Sequence, residues 1–217
     1  MLLLAVDTST SAVTAGVVEF GGTEPASIRE LARRLTVSSR AHAEVLTPQI
    51  LECLAEAGYK PTDLDGVVVG TGPGPFTGLR VGMATAAAFG DALGIPVYGV
   101  CSLDAIAQAV ATDRELLVVT DARRREVYWA RYKAGRRVDG PAVCKPADLD
   151  VGSAQIIAGA AEHVDYFDLP VEPTESPSPV GLVGAAAAQL TAGATPDPLV
   201  PLYLRRPDAV AAAGRKK

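Results

Sequence analysis

The stretch with the clearest chemical potential runs from Gly70 to Gly82, Gly-Thr-Gly-Pro-Gly-Pro-Phe-Thr-Gly-Leu-Arg-Val-Gly. It follows an apolar run, Gly66-Val67-Val68-Val69, and leads into an Ala-rich segment from Leu79 to Leu93. A glycine-rich strand-to-helix turn can cradle phosphate on its backbone N–H groups. The spacing here argues against the two common versions. A P-loop needs four residues between its glycines and then lysine. Only three separate Gly74 from Gly78, and Leu79 stands where lysine belongs. The dinucleotide fingerprint needs a further glycine at the position held by Thr77. The plainer reading is a rigid turn, its path fixed by Pro73 and Pro75, that seats a helix. Gly78, Gly82 and Ala86 recur every fourth residue and make a smooth stripe, so something packs closely there, the chain's own sheet or another chain.

The other reactive side chains are sparse. Cys53, Cys101 and Cys144 form no C-x-x-C and read as buried free thiols in a reducing compartment. Two histidines, His42 and His163, cannot build a His-rich site, so no metal is expected. His42 reads as a capping or packing residue. The formal net charge of −5 opposes nucleic acid, and the basic pairs (Arg33-Arg34, Arg136-Arg137, Arg205-Arg206) are scattered. Met1 to Val6 has no basic flank and ends at Asp7, and Asp91 breaks the longest apolar helix. These features predict a cytoplasmic protein with no membrane association.

The elements that must position these groups follow from periodicity. Leu2–Val6, Ala12–Phe20 and Ile28–Val37 read as a β-meander, with Asp7-Thr8-Ser9-Thr10-Ser11 as its first turn. A helix follows from His42 to about Ala57, where Val45, Leu46, Ile50, Cys53 and Leu54 fall at helical spacing; Pro48 starts or kinks it. The Val67 strand, the Leu79 helix, a strand at Ile95–Val100 and a short helix at Ala105–Ala111 complete a βαβ-type half. The opening then recurs. Leu116 to Asp121 matches Leu2 to Asp7, and a polar turn, a returning strand Val127–Tyr132 and a Gly turn follow, which reads as an internal duplication. The second copy is poorer: a strand at Gln155–Ala158, a proline-rich loop Glu172–Pro179, a helix Val180–Leu190 and an extended Leu199–Arg205. The predicted organisation is a lobe of residues 1–111, a reduced lobe of 112–208 and a frayed tail of 209–217.

Two lobes that each open with a strand, an Asp turn and a returning strand resemble the actin/sugar-kinase/Hsp70 superfamily. That implies a two-lobed, ribonuclease H-like α/β fold with mixed sheets and helices. More narrowly, the chain resembles the bacterial TsaB (YeaZ) family, the partner subunit in synthesis of tRNA threonylcarbamoyladenosine. The matching stretches are Leu4–Thr10, Arg40-Ala41-His42 with Leu46-Thr47-Pro48, Gly72–Arg80, Asp121-Ala122-Arg123 with Glu126-Val127-Tyr128, and Tyr203-Leu204-Arg205.

The resemblance implies a non-catalytic role. The family's catalytic paralogue, TsaD, transfers threonylcarbamoyl to an adenosine beside the anticodon and holds a metal through a His-x-x-x-His element. At the corresponding place this chain reads Val100-Cys101-Ser102-Leu103-Asp104-Ala105-Ile106, with no histidine. The implied partners are the TsaD-type paralogue, a TsaE-type ATPase, tRNA through the complex, and a second copy when the chain is alone. No cofactor is implied for the isolated chain, and ATP or ADP only within the complex. The interface is expected at His42, Val45, Leu46, Ile50, Cys53, Gly78, Leu79, Gly82 and Ala86. A vestigial nucleotide cleft is expected at Asp7, Thr8, Ser9, Asp121 and Arg123, since superfamily ATPases hold Mg²⁺ and phosphates between two such turns. Alanine at Asp7 or Asp121 is expected to leave folding intact and, if that cleft is a relic, to change the activity of the complex little. Two alternatives stay open: an ATP-dependent small-molecule kinase, which lacks a clear adenosine turn at Gly152–Gly159, and a metallopeptidase, which lacks histidine ligands.

Overall fold

A computed structural model describes residues 1–24, 27–38, 41–110 and 112–205. Arg40, Ala111 and the expected tail lie outside those residues. The first lobe contains β1 (Leu2–Asp7), β2 (Ala12–Phe20), β3 (Ile28–Val37), α1 (His42–Ala57), β4 (Gly66–Gly70), α2 (Phe76–Leu93), β5 (Val97–Val100) and α3 (Ser102–Ala109). The second contains β6 (Leu116–Asp121), β7 (Val127–Lys133), β8 (Arg136–Cys144), β9 (Ile156–Gly159), α4 (Ala161–Val164) and α5 (Pro179–Ala192).

The strands form two mixed sheets, ordered β3-β2-β1-β4-β5 and β8-β7-β6-β9. In each, a hairpin runs antiparallel from the Asp-bearing strand, and the strand on its other side is parallel. Asp7 pairs with Thr14 and Asp121 with Val127, at the same end of the two hairpins. The duplication is therefore one of topology. It includes β8, the counterpart of β3, which the sequence hid: β8 is an edge strand, mostly exposed, and interrupted by Gly140-Pro141. The expected extended segment at Leu199–Arg205 joins no sheet. It crosses between the lobes, with Leu202 N–H donating to the Thr71 carbonyl and Leu202 and Leu204 packing on the second core.

Both faces of each sheet are covered. One face of the first sheet, through Leu4, Val6, Val13 and Val17, buries Leu46, Ile50 and Leu54 of α1 and Met83 and Ala86 of α2. The other face meets α5. That helix is apolar almost all round, so it is sandwiched rather than amphipathic, lying on the first sheet and against α3. The division into lobes at residue 112 is thus not kept in space: α5 returns to the first sheet. On its other side α3 packs on the second sheet with Leu116, Val118, Tyr128 and Ile156. Among the described residues no helix is long and apolar enough to cross a membrane.

Candidate functional site

A cleft of about 780 Å³ opens between the lobes. Ser9, Thr10 and Pro75 line it from the first lobe, Asp121, Arg123 and Glu162 from the second, and the proline-rich segment from Pro173 to Ser178 forms part of its wall. That segment joins the lobes. Gly159 N–H donates to the Thr174 carbonyl on one side, and the buried Thr14 hydroxyl donates to the Pro177 carbonyl at 3.0 Å on the other.

Asp7 does not face this cleft. It is fully buried, and both carboxylate oxygens are engaged within the protein. Oδ1 accepts the Ser9 N–H at 2.8 Å and the Ser9 hydroxyl at 2.7 Å, and Oδ2 accepts the Ser102 hydroxyl at 2.6 Å. Burial raises its pKa above the ordinary carboxylate value, opposed by the Ser102 and Ser9 hydrogen bonds. Ser102 is the first residue of α3, and its Oγ also accepts the Gly72 N–H while its N–H donates to the Gly72 carbonyl. The carboxylate therefore ties the β1–β2 turn to the glycine-rich turn and to the start of α3. Gly70 is required beside it, because a Cβ there would overlap Asp7 Oδ2.

Thr8 does the same for α2. Its hydroxyl donates to the Gly78 carbonyl at 2.7 Å and accepts the Gly82 N–H at 3.0 Å. A Cβ on Gly82 would overlap that hydroxyl. The smooth stripe thus packs against the chain's own β1–β2 turn, which overturns its reading as an interface. The same correction covers Leu46, Ile50, Cys53, Leu79 and Ala86, all buried in the chain's own core. Helical spacing finds the apolar side of a helix, and that side here faces the sheet. Val45 is only partly buried, packed on the rim of that core. His42, also expected at the interface, is half-buried, and its Nε2–H donates to the Thr10 carbonyl at 3.0 Å, tying the start of α1 to the β1–β2 turn.

The expected nucleotide cleft is only partly assembled. Ser9, Asp121 and Arg123 line it, whereas Asp7 and Thr8 are sealed beneath it. The residues do not fit the two-Asp grip on Mg²⁺-nucleotide, because Asp7 could turn outward only by abandoning three hydrogen bonds. Nor do they fit the paralogue's metal. Ser102 is bound to Asp7, Asp104 accepts from Tyr132 Oη at 2.8 Å and pairs with Arg137, and burial pushes the Cys101 thiol up to about 11.

Asp121 is about one-third exposed and differently occupied. Its Oδ1 accepts the Arg123 N–H at 2.9 Å and lies 3.1 Å from His163 Nε2 on α4. Sequence reasoning missed both Ser102 and His163, since single polar residues at helix starts carry no periodic signal. With Glu162, His163 and Asp121 bring three ligand-type atoms within 4.8 Å. A ligating imidazole commonly has its other ring nitrogen held by a hydrogen-bond acceptor, and His163 Nδ1 is buried with no partner among the described residues.

After Asp121 the backbone takes an unusual path. Arg123, Arg124 and Arg125 have φ of 63°, 52° and 63°. Each left-handed non-glycine residue is disfavoured by on the order of 1 kcal/mol. The turn closes through Ala122 N–H to the Glu126 carbonyl and Glu126 N–H to the Arg123 carbonyl, both 3.0 Å. Arg205 braces it, donating to the Ala122 carbonyl at 2.7 Å and pairing with Glu126 at 3.4 Å.

Comparison with known proteins places the chain. The family model of TsaD, tRNA N6-adenosine threonylcarbamoyltransferase, matches residues 35–213. Uncharacterized proteins of Mycobacterium leprae and Mycobacterium tuberculosis are 57% and 58% identical, over 96% and 95% of this chain and 56% and 93% of theirs. The tRNA threonylcarbamoyladenosine biosynthesis protein TsaB of Escherichia coli is 30% identical over 136 residues, 61% of this chain and 55% of that protein. The match spans about half of that TsaB, as it does of the Mycobacterium leprae protein. YeaZ from Pseudomonas aeruginosa superposes with a TM-score of 0.78 at 26% identity, over 94% of this chain and 100% of that one.

Proposed function

This chain belongs to the TsaB (YeaZ) branch of the family that the TsaD model describes, and from that premise we propose that it is the non-catalytic subunit of a tRNA adenosine threonylcarbamoylation complex. The observation that carries the reading is the Asp7–Ser9–Ser102 network. Where a catalytic relative needs open ligands, this chain has closed them into structural hydrogen bonds. The chain then contributes through its surface, by pairing with the catalytic TsaD-type paralogue.

The surface best suited to pairing is the outward side of α1 and α2, opposite the one predicted from spacing. Thr47, Pro48 and Leu51 are exposed on α1, and Ala84 and Ala88 on α2, with Val81 half-exposed beside them. Leu51 is half exposed, a large apolar side chain on a helix whose other face is already buried. Two such helix pairs can meet as a four-helix contact, with the paralogue or, in its absence, with a second copy. A TsaE-type ATPase would join the assembled pair, and any nucleotide requirement would belong to the complex.

Reconstitution tests this. Modification of tRNA should need both this chain and the paralogue. Leu51→Glu should weaken their association about tenfold or more, since it buries an unpaired charge, and leave the monomer's melting temperature unchanged. ATP turnover with a small-molecule acceptor by the isolated chain would instead support the kinase reading, and metal-dependent proteolysis the peptidase one.

A further inference from the structure

Three of the four non-glycine residues with positive φ among those described are Arg123, Arg124 and Arg125. All three side chains are exposed, and Arg123 stands on the edge of the interlobe cleft. Glycine would hold this backbone without strain. The turn is secured by hydrogen bonds and ion pairs in which Asp121, Arg123, Glu126 and Arg205 take part. Strained positions occupied by charged, solvent-facing residues point to a use for the side chains. We propose that this turn is a contact surface for the backbone phosphates of RNA. The proposal rests on the tRNA-modification reading above and names the part of this chain that touches the substrate.

The chemistry fits. A guanidinium presents a planar fork of donors that matches phosphate oxygens bidentately. Consecutive arginines on a turn braced from below lose little backbone freedom on binding. Arg123, Arg124 and Arg125 place three consecutive cations on a chain whose formal net charge is −5. Arg123, which pairs with Asp121, and Arg205, which pairs with Glu126, stay in place in the test, and Arg124 and Arg125 are changed.

The double variant Arg124→Gly, Arg125→Gly removes two cations and relieves the backbone at the same positions. It is compared with Arg124→Lys, Arg125→Lys, which keeps the charge. In the assembled complex with the catalytic paralogue, the glycine variant should bind tRNA about tenfold more weakly at physiological salt. The slope of log affinity against log salt should become shallower by about 0.7 to 0.9 for each phosphate no longer neutralised. The lysine variant should keep most of the affinity and the slope. The isolated glycine variant should melt at the same temperature as the parent or higher. Unchanged affinity and slope, in a wild-type complex that does bind tRNA, would overturn the proposal alone. Failure to assemble, with unchanged tRNA binding by what does assemble, would also overturn it, assigning the turn to an acidic protein surface. A wild-type complex that neither binds nor modifies tRNA would overturn the functional reading itself, and this proposal with it.

Discussion

The two Asp turns began from one plan and now do opposite things. In the first lobe the turn after β1 is sealed: Asp7 is fully buried, its oxygens spent on Ser9 and Ser102, and Thr8 is bound to α2. In the second lobe the turn after β6 is open: Asp121 is one-third exposed, touched by His163, and followed by three left-handed arginines. Hydroxyl side chains follow Asp7, and these can satisfy a carboxylate inside a dry interior. Arginines follow Asp121, and these cannot be buried beside it, so the turn stays at the surface. The comparison teaches that one duplicated motif can become a structural tie in one copy and an exposed, charged surface in the other.

Four measurements test that contrast. The largest effect is expected at the seat of the first turn. Gly82→Leu should destabilise the isolated monomer by about 3 kcal/mol, through overpacking against Thr8 and disruption of its hydrogen bonds. Thermal unfolding at monomeric concentrations reads this, and an unchanged melting temperature would mean that the first turn is not sealed by α2. Next comes Asp7→Ala, expected to lower stability by about 2 kcal/mol, because the Ser9 N–H and the Ser9 and Ser102 hydroxyls would be left buried without their acceptor. This replaces the expectation, drawn from sequence, that the change leaves folding intact.

A pH series gives a smaller, diagnostic effect. Because the folded pKa of Asp7 is raised, the folded state holds a proton that the unfolded chain gives up near 3.8. The Asp7 contribution is therefore most favourable below that value and is lost as pH rises from there through the folded pKa. Asp7→Asn cannot titrate. Its melting temperature relative to the parent should rise with pH across that window and then level off; a difference flat with pH would show that Asp7 is not desolvated. The smallest effect belongs to the second turn. Asp121→Ala should lower stability by about 1 kcal/mol, because the partly exposed carboxylate accepts the Arg123 N–H and lies against His163 Nε2. A destabilisation comparable to that of Asp7→Ala would erase the contrast between the lobes.

Much of this architecture was legible. Alternating and continuous apolar runs marked β1, β2, β4, β6, β7 and β9, and helical spacing marked α1 and α2. The repeated strand–Asp–turn–strand order pointed to two lobes. What was hidden has identifiable causes. Strand β8 is polar and broken by Gly140-Pro141, so it lacked a periodic signal. The crossing of α5 back to the first sheet could not be seen, because an all-round apolar helix does not say which sheet it lies on. The stripe Gly78/Gly82/Ala86 was correctly read as a place of close approach, and its partner was misassigned.

By itself the sequence determined which residues would be inside, where strands and helices alternate, and that two Asp turns would sit at equivalent hairpin ends. Those properties depend on side-chain character at short range, which the chain carries locally. Only the tertiary structure decided that Ser102, 95 residues away in sequence, would close on Asp7 and that Thr8 would occupy the glycine stripe of α2. It also decided that Asp121 and Arg123 would stay at the edge of the cleft. Whether a carboxylate serves as a tie or faces solvent depends on which distant donors reach it, and that is fixed only when the lobes pack.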